Sequence, residues 1–224
     1  LHYKRDVHRE QNAGQPELTF KDQMFSAGLE DTYNFTKSLY AITGISYDFL
    51  DTLAAEEISA SGKVVDFPMD STSGLNPQLG LFYKLGETDT LHGAVSRKTR
   101  LPSIKDKYSY RLGTGIPNPE LDAEKSINSE IGYENKKIAG VHMKGTVFYN
   151  NVTDYIQLIK VADPKNPGKT TDQNQNIAEV DFSGIELEMG AEVLKALEIG
   201  CNYTLTYADN KTDDNEIINV PKHK

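Results

Sequence analysis

Gly184-Ile185-Glu186-Leu187-Glu188-Met189-Gly190-Ala191-Glu192-Val193 and, just beyond it, Leu197-Glu198-Ile199-Gly200-Cys201-Asn202-Tyr203-Thr204-Leu205-Thr206-Tyr207 decide the fold. Ile185, Leu187, Met189, Ala191 and Val193 alternate with Gly184, Glu186, Glu188, Gly190 and Glu192, which is the period of a strand whose two faces meet unlike surroundings. Wound as a helix, the same apolar residues would encircle the axis instead of forming one stripe. The second run repeats the device, with Leu197, Ile199, Cys201, Tyr203, Leu205 and Tyr207 on the oily face.

The pattern extends outward in both directions. Leu75, Leu79, Leu81, Tyr83 and Leu85 share one parity against Asn76, Gln78, Gly80 and Lys84; so do Val141, Met143, Val147 and Tyr149, and, further back, Leu39, Ala41, Ile45 and Tyr47. The alternation predicts nine strands, at 1–9, 24–34, 39–53, 74–85, 90–101, 125–134, 138–162, 177–193 and 197–207. Short turns at 35–38, 86–89, 135–137 and 194–196 alternate with long polar links at 10–23, 54–73, 102–124 and 163–176. A transmembrane barrel has that asymmetry, closing its hairpins tightly on one side of the membrane and carrying extended loops on the other. Most of these runs reach the roughly 9–11 residues that a tilted strand needs to cross the apolar layer, whereas ordinary soluble strands average about five or six. The fold class is therefore all-β, an antiparallel transmembrane β-barrel, with residues 1–224 as one partial barrel domain.

In hydrocarbon every backbone N–H and C=O must pair, so the sheet has to close, and nine strands leave two open edges. Further strands are expected outside this sequence. The chain shows neither an initiator Met nor a signal peptide and is expected to be a fragment; Ile218 to Lys224 reads as the start of one more strand. Arg5, Asp31 and Arg97 carry the lipid-facing parity and are expected near the rims, where a charge costs about 0–1 kcal/mol against about 2–4 for Arg or Lys at the midplane. Tyr47, Tyr83, Tyr133, Tyr149, Tyr203 and Tyr207 suit interfacial aromatic girdles.

Composition removes several classes of function. No run approaches the roughly 18 apolar residues of a spanning helix, so a membrane role falls to strands. A net charge of −9 argues against a phosphate-binding surface and hence against nucleic acid. Cys201 is the only cysteine, and no two of the five histidines stand where both reach one metal, so neither a disulfide nor a metal site is expected. Gly168-Lys169-Thr170 mimics the end of a phosphate-binding loop, but Asp163 stands where its first glycine belongs. No Ser/His/Asp arrangement is recognisable, and no enzyme activity or cofactor is expected.

A denser set of residues lies between the fifth and sixth predicted strands. Arg100-Leu101-Pro102-Ser103 is followed by Tyr108, then by Asn118-Pro119-Glu120-Leu121-Asp122-Ala123-Glu124-Lys125-Ser126, Glu130 and Gly132. This resembles the TonB-dependent outer-membrane receptor family, whose barrels carry an Arg-x-Pro-Ser run, a tyrosine-bearing loop and Asn-Pro-x-Leu-x-x-Glu-x-Ser-x-x-x-Glu-x-Gly. Val147-Phe148-Tyr149-Asn150-Asn151, and Gly184 to Glu188 leading to Asn202-Tyr203-Thr204, are similar to the same family. The resemblance implies a plugged 22-stranded barrel in the bacterial outer membrane. It also implies contact with membrane lipid, a TonB energy-transducing partner engaged through parts absent here, and uptake of a small ligand such as a ferric siderophore or another metal chelate.

Arg100, Pro102, Asn118, Pro119, Leu121, Glu124, Ser126, Glu130 and Gly132 read as structural: they mark the fold, not a site. Candidate ligand contacts are Tyr108, Tyr110 and Arg111, aromatic faces beside a cation in a long loop. Two rival readings are a soluble secreted β-sheet protein that binds or adheres, and an outer-membrane barrel enzyme.

Overall fold

The computed structural model describes residues 1–224 apart from 12, 60, 111–113, 139, 195–196, 213–216 and 219. Ten strands and one short helix lie among the described residues: β1 His2–Glu10, β2 Leu18–Asn34, β3 Leu39–Ile58, β4 Val64–Asp66, β5 Ser71–Lys84, β6 Asp89–Arg100, α1 Ile104–Tyr108, β7 Glu124–Ile138, β8 Val141–Ala162, β9 Thr170–Leu194 and β10 Leu197–Asn210. The order across the sheet is β1-β2-β3-β5-β6-β7-β8-β9-β10, with β4 paired to β3 outside that path. Every named pair is antiparallel, which makes a meander with the nine strands the alternation predicts. None of the described helices is long and apolar enough to cross a membrane.

The register shows why the pattern forms this wall. Leu81 lies opposite Gly93, Gly93 opposite Ile131, Ile131 opposite Val147, Val147 opposite Ile185 and Ile185 opposite Leu205, so one row of the outer face crosses six strands without a polar side chain. One residue along each strand, Phe82, His92, Gly132, Thr146, Glu186 and Thr204 form the matching row on the other face. A slip of one residue would exchange the two rows, so the pattern fixes the pairing. The apolar face has no covering layer: Ile131 is 70% exposed, Val147 61% and Leu29 81%. Tyr33, Phe35, Tyr83, Tyr133 and Tyr203 project from that face toward the short-turn end, and Tyr3, Phe25, Tyr47, Tyr149 and Tyr207 toward the other. Outer-membrane barrels carry aromatic girdles at both interfaces in this way.

The turn from β2 to β3 is tight. Phe35 and Thr36 both donate their N–H to Leu39 O, and Thr36 Oγ1 accepts from Ser38 N and Leu39 N. At the opposite end the strands overrun the predicted limits, β2 starting at Leu18, β3 reaching Ile58 and β9 starting at Thr170. There the chain leaves the apolar layer, so the ladder continues after the hydrophobic period that reveals it has lapsed; Thr170-Thr171-Asp172-Gln173-Asn174-Gln175-Asn176 is polar on both faces. Lys222 to Lys224 lie antiparallel to β10, bonded to Thr204 and Thr206, with a single bridge at His223 opposite Leu205.

Two of the three lipid-parity charges lie in the open. Arg5 pairs with Gln23 in the long-loop half of β2, and Asp31 with Thr43 in the short-turn half of the same strand. Arg97 has a different explanation. The β5–β6 ladder stops at Gln78 and Ser96, next to Pro77, which has no N–H to give, and the Arg97 guanidinium donates instead to Leu75 O across the gap. The face opposite the apolar one is crowded at glycines. A Cβ on Gly132 would lie 2.3 Å from His92 Cε1, and one on Gly184 2.7 Å from Phe148 Cζ.

Candidate functional site

The described residues of the link from β6 to β7, 101–110 and 114–123, form a strap across the polar face at the long-loop end. Its first half is helical because Ser103 caps α1: Ser103 Oγ accepts from Asp106 N, while Asp106 Oδ2 accepts from Ser103 N and Ser103 Oγ at 2.9 Å each. Ile104 and Tyr108 then point into a small core with Leu18 and Phe20 of β2, Ala55 of β3 and Phe67, Ile58 and Tyr110 packing around it. Tyr108 is 2% exposed, its ring 6.0 Å from Phe20 and 5.4 Å from Phe67. Burying one such side chain contributes about 1.5–3 kcal/mol, and each ring pair about 0.5–1.5 more. Beside it the aliphatic stem of Lys107 is buried, with Nζ 3.7 Å from Asp70 Oδ2.

The second half of the strap docks on β9. β10 pairs with β9 only as far as Val180, which leaves the upper edge of β9 to other partners. Gly115 bridges Asp172 in parallel, and Ile116 N donates to Asp172 O at 2.9 Å. Asn174 Nδ2 donates to Asp106 O and Asn118 Nδ2 to Asn174 O, both at 2.9 Å. Asn176 accepts from Asp122 N at 2.9 Å and donates to Asp122 O at 3.1 Å. The Asn/Gln run of β9 thus supplies what the irregular strap lacks, partners for its backbone polar groups.

The motif residues fasten this arrangement. Arg100 bridges Asp106 at 3.1 Å and Glu124 at 3.3 Å. Pro102 and Leu121 are buried, Asn118 N donates to Lys107 O at 2.7 Å, and Pro119 lies in the turn where Asn118 Oδ1 accepts from Glu120 N. Glu124 Oε1 also accepts from Ile156 N at 2.7 Å, where β8 has parted from β7 beyond the left-handed residue Asp154, φ 57°. Lower in the wall, Ser126 Oγ accepts from Asn128, Glu130 lies 3.6 Å from His92 Nε2, and Gly132 makes room for that imidazole.

Between α1 and the first two strands lies a cavity of about 340 Å³, lined by His8, Glu10, Phe20, Ile104, Lys105, Tyr108 and Ser109. The His8 ring lies 6.1 Å from Phe20, and His8 Nε2 is 3.6 Å from Glu10 Oε2. Aromatic walls with a few convergent polar groups and a volume in the range of about 300–1,000 Å³ are the usual make-up of a small-ligand site. Burial pushes the Tyr108 phenol above its ordinary range, opposed by the neighbouring Thr52 hydroxyl and reinforced by Asp70 and Asp22. Burial raises Tyr110 too, with Glu57 and Glu10 adding to it. Of the candidate contacts, Tyr108 forms a wall of this cavity, Tyr110 packs half-buried against the same core, and Arg111 lies outside the described residues. The alternation did not single out His8, Phe20 or Lys105 as site residues, because His8 and Phe20, opposite each other in the β1–β2 ladder, become cavity walls only when α1 brings Lys105 over them.

Residues 5–224 match the family described as TonB dependent receptor-like, beta-barrel. Among curated relatives, the chain is 25% identical over 176 residues to the iron-regulated outer membrane virulence protein of Vibrio cholerae, covering 72% of this chain and 27% of that protein. It is 26% identical over 211 residues to the heme/hemopexin utilization protein C of Haemophilus influenzae, covering 85% and 28%. The chain therefore spans little more than a quarter of the length of these relatives. Among solved structures, the copper transporter OprC superposes with a TM-score of 0.71 at 15% identity, covering 99% of this chain and 36% of that one.

Proposed function

Because the chain belongs to the TonB-dependent receptor family through its β-barrel domain and lies in the bacterial outer membrane, we propose that it is part of the wall and outer mouth of a receptor that takes up an iron-bearing chelate, a ferric siderophore or haem. The family consists of transport receptors, not enzymes, whose members bind small ligands and act with TonB. The observation that carries the reading is the aromatic-walled cavity under α1 at the long-loop end, where the candidate contacts Tyr108 and Tyr110 gather. Arg111, next to Tyr110 in the sequence, is proposed as the cation that meets an anionic chelate. The names of two relatives, an iron-regulated outer membrane virulence protein and a heme/hemopexin utilization protein, support an iron-bearing substrate class. In the whole protein the energy would come from TonB, acting through segments outside this chain.

The uncovered apolar row through Ile131 and Val147 disfavours the soluble binding protein, because a water-soluble sheet of this size has to cover such a face. The test is growth under iron limitation. A strain lacking the full-length gene is expected to lose growth on one iron source out of haemin and a panel of ferric siderophores, and to regain it with the intact gene. Equal growth of the deleted and complemented strains on all of them refutes the reading.

A further inference from the structure

We propose that Arg100 is a positioning residue for ligand capture, a latch that joins both feet of the strap and holds α1 over the cavity. This rests on the reading of the cavity as a ligand site. Arg100 is the last residue of β6 and Glu124, directly opposite it, the first of β7, so the strap leaves and rejoins the wall at this one pair. One guanidinium nitrogen meets Glu124 Oε1 at 3.3 Å, and another meets Asp106 Oδ2 at 3.1 Å. Asp106 is no passive acceptor: the same oxygen caps α1 through Ser103 N and Ser103 Oγ, and its backbone O receives Asn174 Nδ2 from β9. Glu124 in turn holds Ile156 N of β8. A single planar cation therefore ties the wall, the helix cap and, through Asp106 and Glu124, the upper parts of β9 and β8. The fork is needed at this point because two carboxylates on different elements must be held at once, which the single ammonium of lysine does poorly.

The face of α1 that the latch holds down carries Ile104 and Tyr108, two of the cavity walls. Releasing Arg100 removes no side chain from the cavity and no ladder hydrogen bond from the barrel, so it frees the roof while leaving the wall. That separates positioning from a contribution to the fold.

The test uses the full-length receptor in outer-membrane vesicles and trypsin as the probe. Lys107 is 3% exposed and paired with Asp70, so cleavage after it reports strap release. Arg100→Gln and Asp106→Asn are each expected to speed that cleavage at least tenfold, with Arg100→Lys in between, while the barrel keeps its heat-modifiable migration in detergent gels. Combining Arg100→Gln with Asp106→Asn is expected to add little to either alone. For whichever of haemin or a ferric siderophore supports growth, the half-saturating concentration for uptake is expected to rise at least tenfold at unchanged maximal rate. Unchanged protection of Lys107 in both single variants overturns the latch, and so does loss of the heat-modifiable barrel in Arg100→Gln. A released strap with unchanged half-saturation overturns the positioning role. If no iron source is taken up, the uptake reading fails, and the cleavage rates still decide the latch.

Discussion

Replacing Ile131 with arginine in the full-length receptor asks directly which solvent the outer face meets. Ile131 sits between Gly93 and Val147 in a row of the outer face that runs from Leu81 to Leu205, with Tyr133 one step toward the short turns. Nothing polar in that row can receive a guanidinium, and its central level keeps the side chain from reaching either interface cheaply. An arginine at the bilayer midplane costs about 2–4 kcal/mol, which lowers the folding equilibrium roughly 30- to 700-fold. If the same face met water, a surface change of this kind would stay within about 0.5 kcal/mol. The assay is reversible guanidinium unfolding in phospholipid vesicles, with Glu186→Arg as the control because Glu186 lies exposed on the opposite face. We expect the control to shift stability by no more than about 1 kcal/mol. A loss below about 1 kcal/mol for Ile131→Arg, or an equal loss for both variants, would refute the assignment of faces.

Gly132→Ala should destabilise the barrel by about 1–3 kcal/mol through overpacking, since the added Cβ would lie 2.3 Å from His92 Cε1 and 2.9 Å from Thr146 Oγ1. In a His92→Ala background most of that loss should disappear, and an undiminished loss by urea unfolding would show that backbone, not the ring, is responsible. The Tyr108 phenol is an acid raised in the docked strap, so its contribution to docking is complete below the ordinary phenol value of about 10 and fades as pH rises through the raised value. Phenolate absorbance of the native receptor minus Tyr108→Phe should show that late titration together with strap release, and titration in the ordinary range would count against it. Cys201, exposed on the outer face opposite Met189, should react in vesicles with a lipid-soluble maleimide and resist a charged one. Equal labelling by both reagents would place it in water.

The wall was legible because the membrane imposes a two-residue period on long strands. Leu75 to Leu85 and Leu197 to Tyr207 announce their faces residue by residue, and their partners follow from the register. β4 escaped notice since Val64-Val65-Asp66 is too short to show a period, and its pairing with Glu56 to Ile58 depends on a hairpin that extends β3 above the membrane. The extra residues of β9 escaped for a related reason: Gln173, Asn174 and Asn176 are strand residues whose side chains bond to the strap, so they carry no hydrophobic signal. The motif residues were legible as a group, as an ordered set in the chain. The ion pairs among them were not, because Asp106 reaches the pair of Arg100 and Glu124 only once α1 has folded back beside the ends of β6 and β7. Tyr108 and Phe20 are likewise far apart in the chain and become neighbours by the same fold-back.

The unequal lengths of the connections decide where this protein tolerates added sequence. At 35–38 the turn is closed by bonds from Phe35, Thr36, Ser38 and Leu39, so an inserted peptide would have to break them and would put the register of β2 and β3 at risk. At 163–169 the chain turns through Gly168, φ 84°, with Asp163 holding Lys165 N and Asn166 at a tip well beyond the last β7–β8 pair. An epitope tag or a new pair of termini belongs there, and a lineage under pressure to change what the cell surface displays would be free to lengthen that rim while the opposite one stays short.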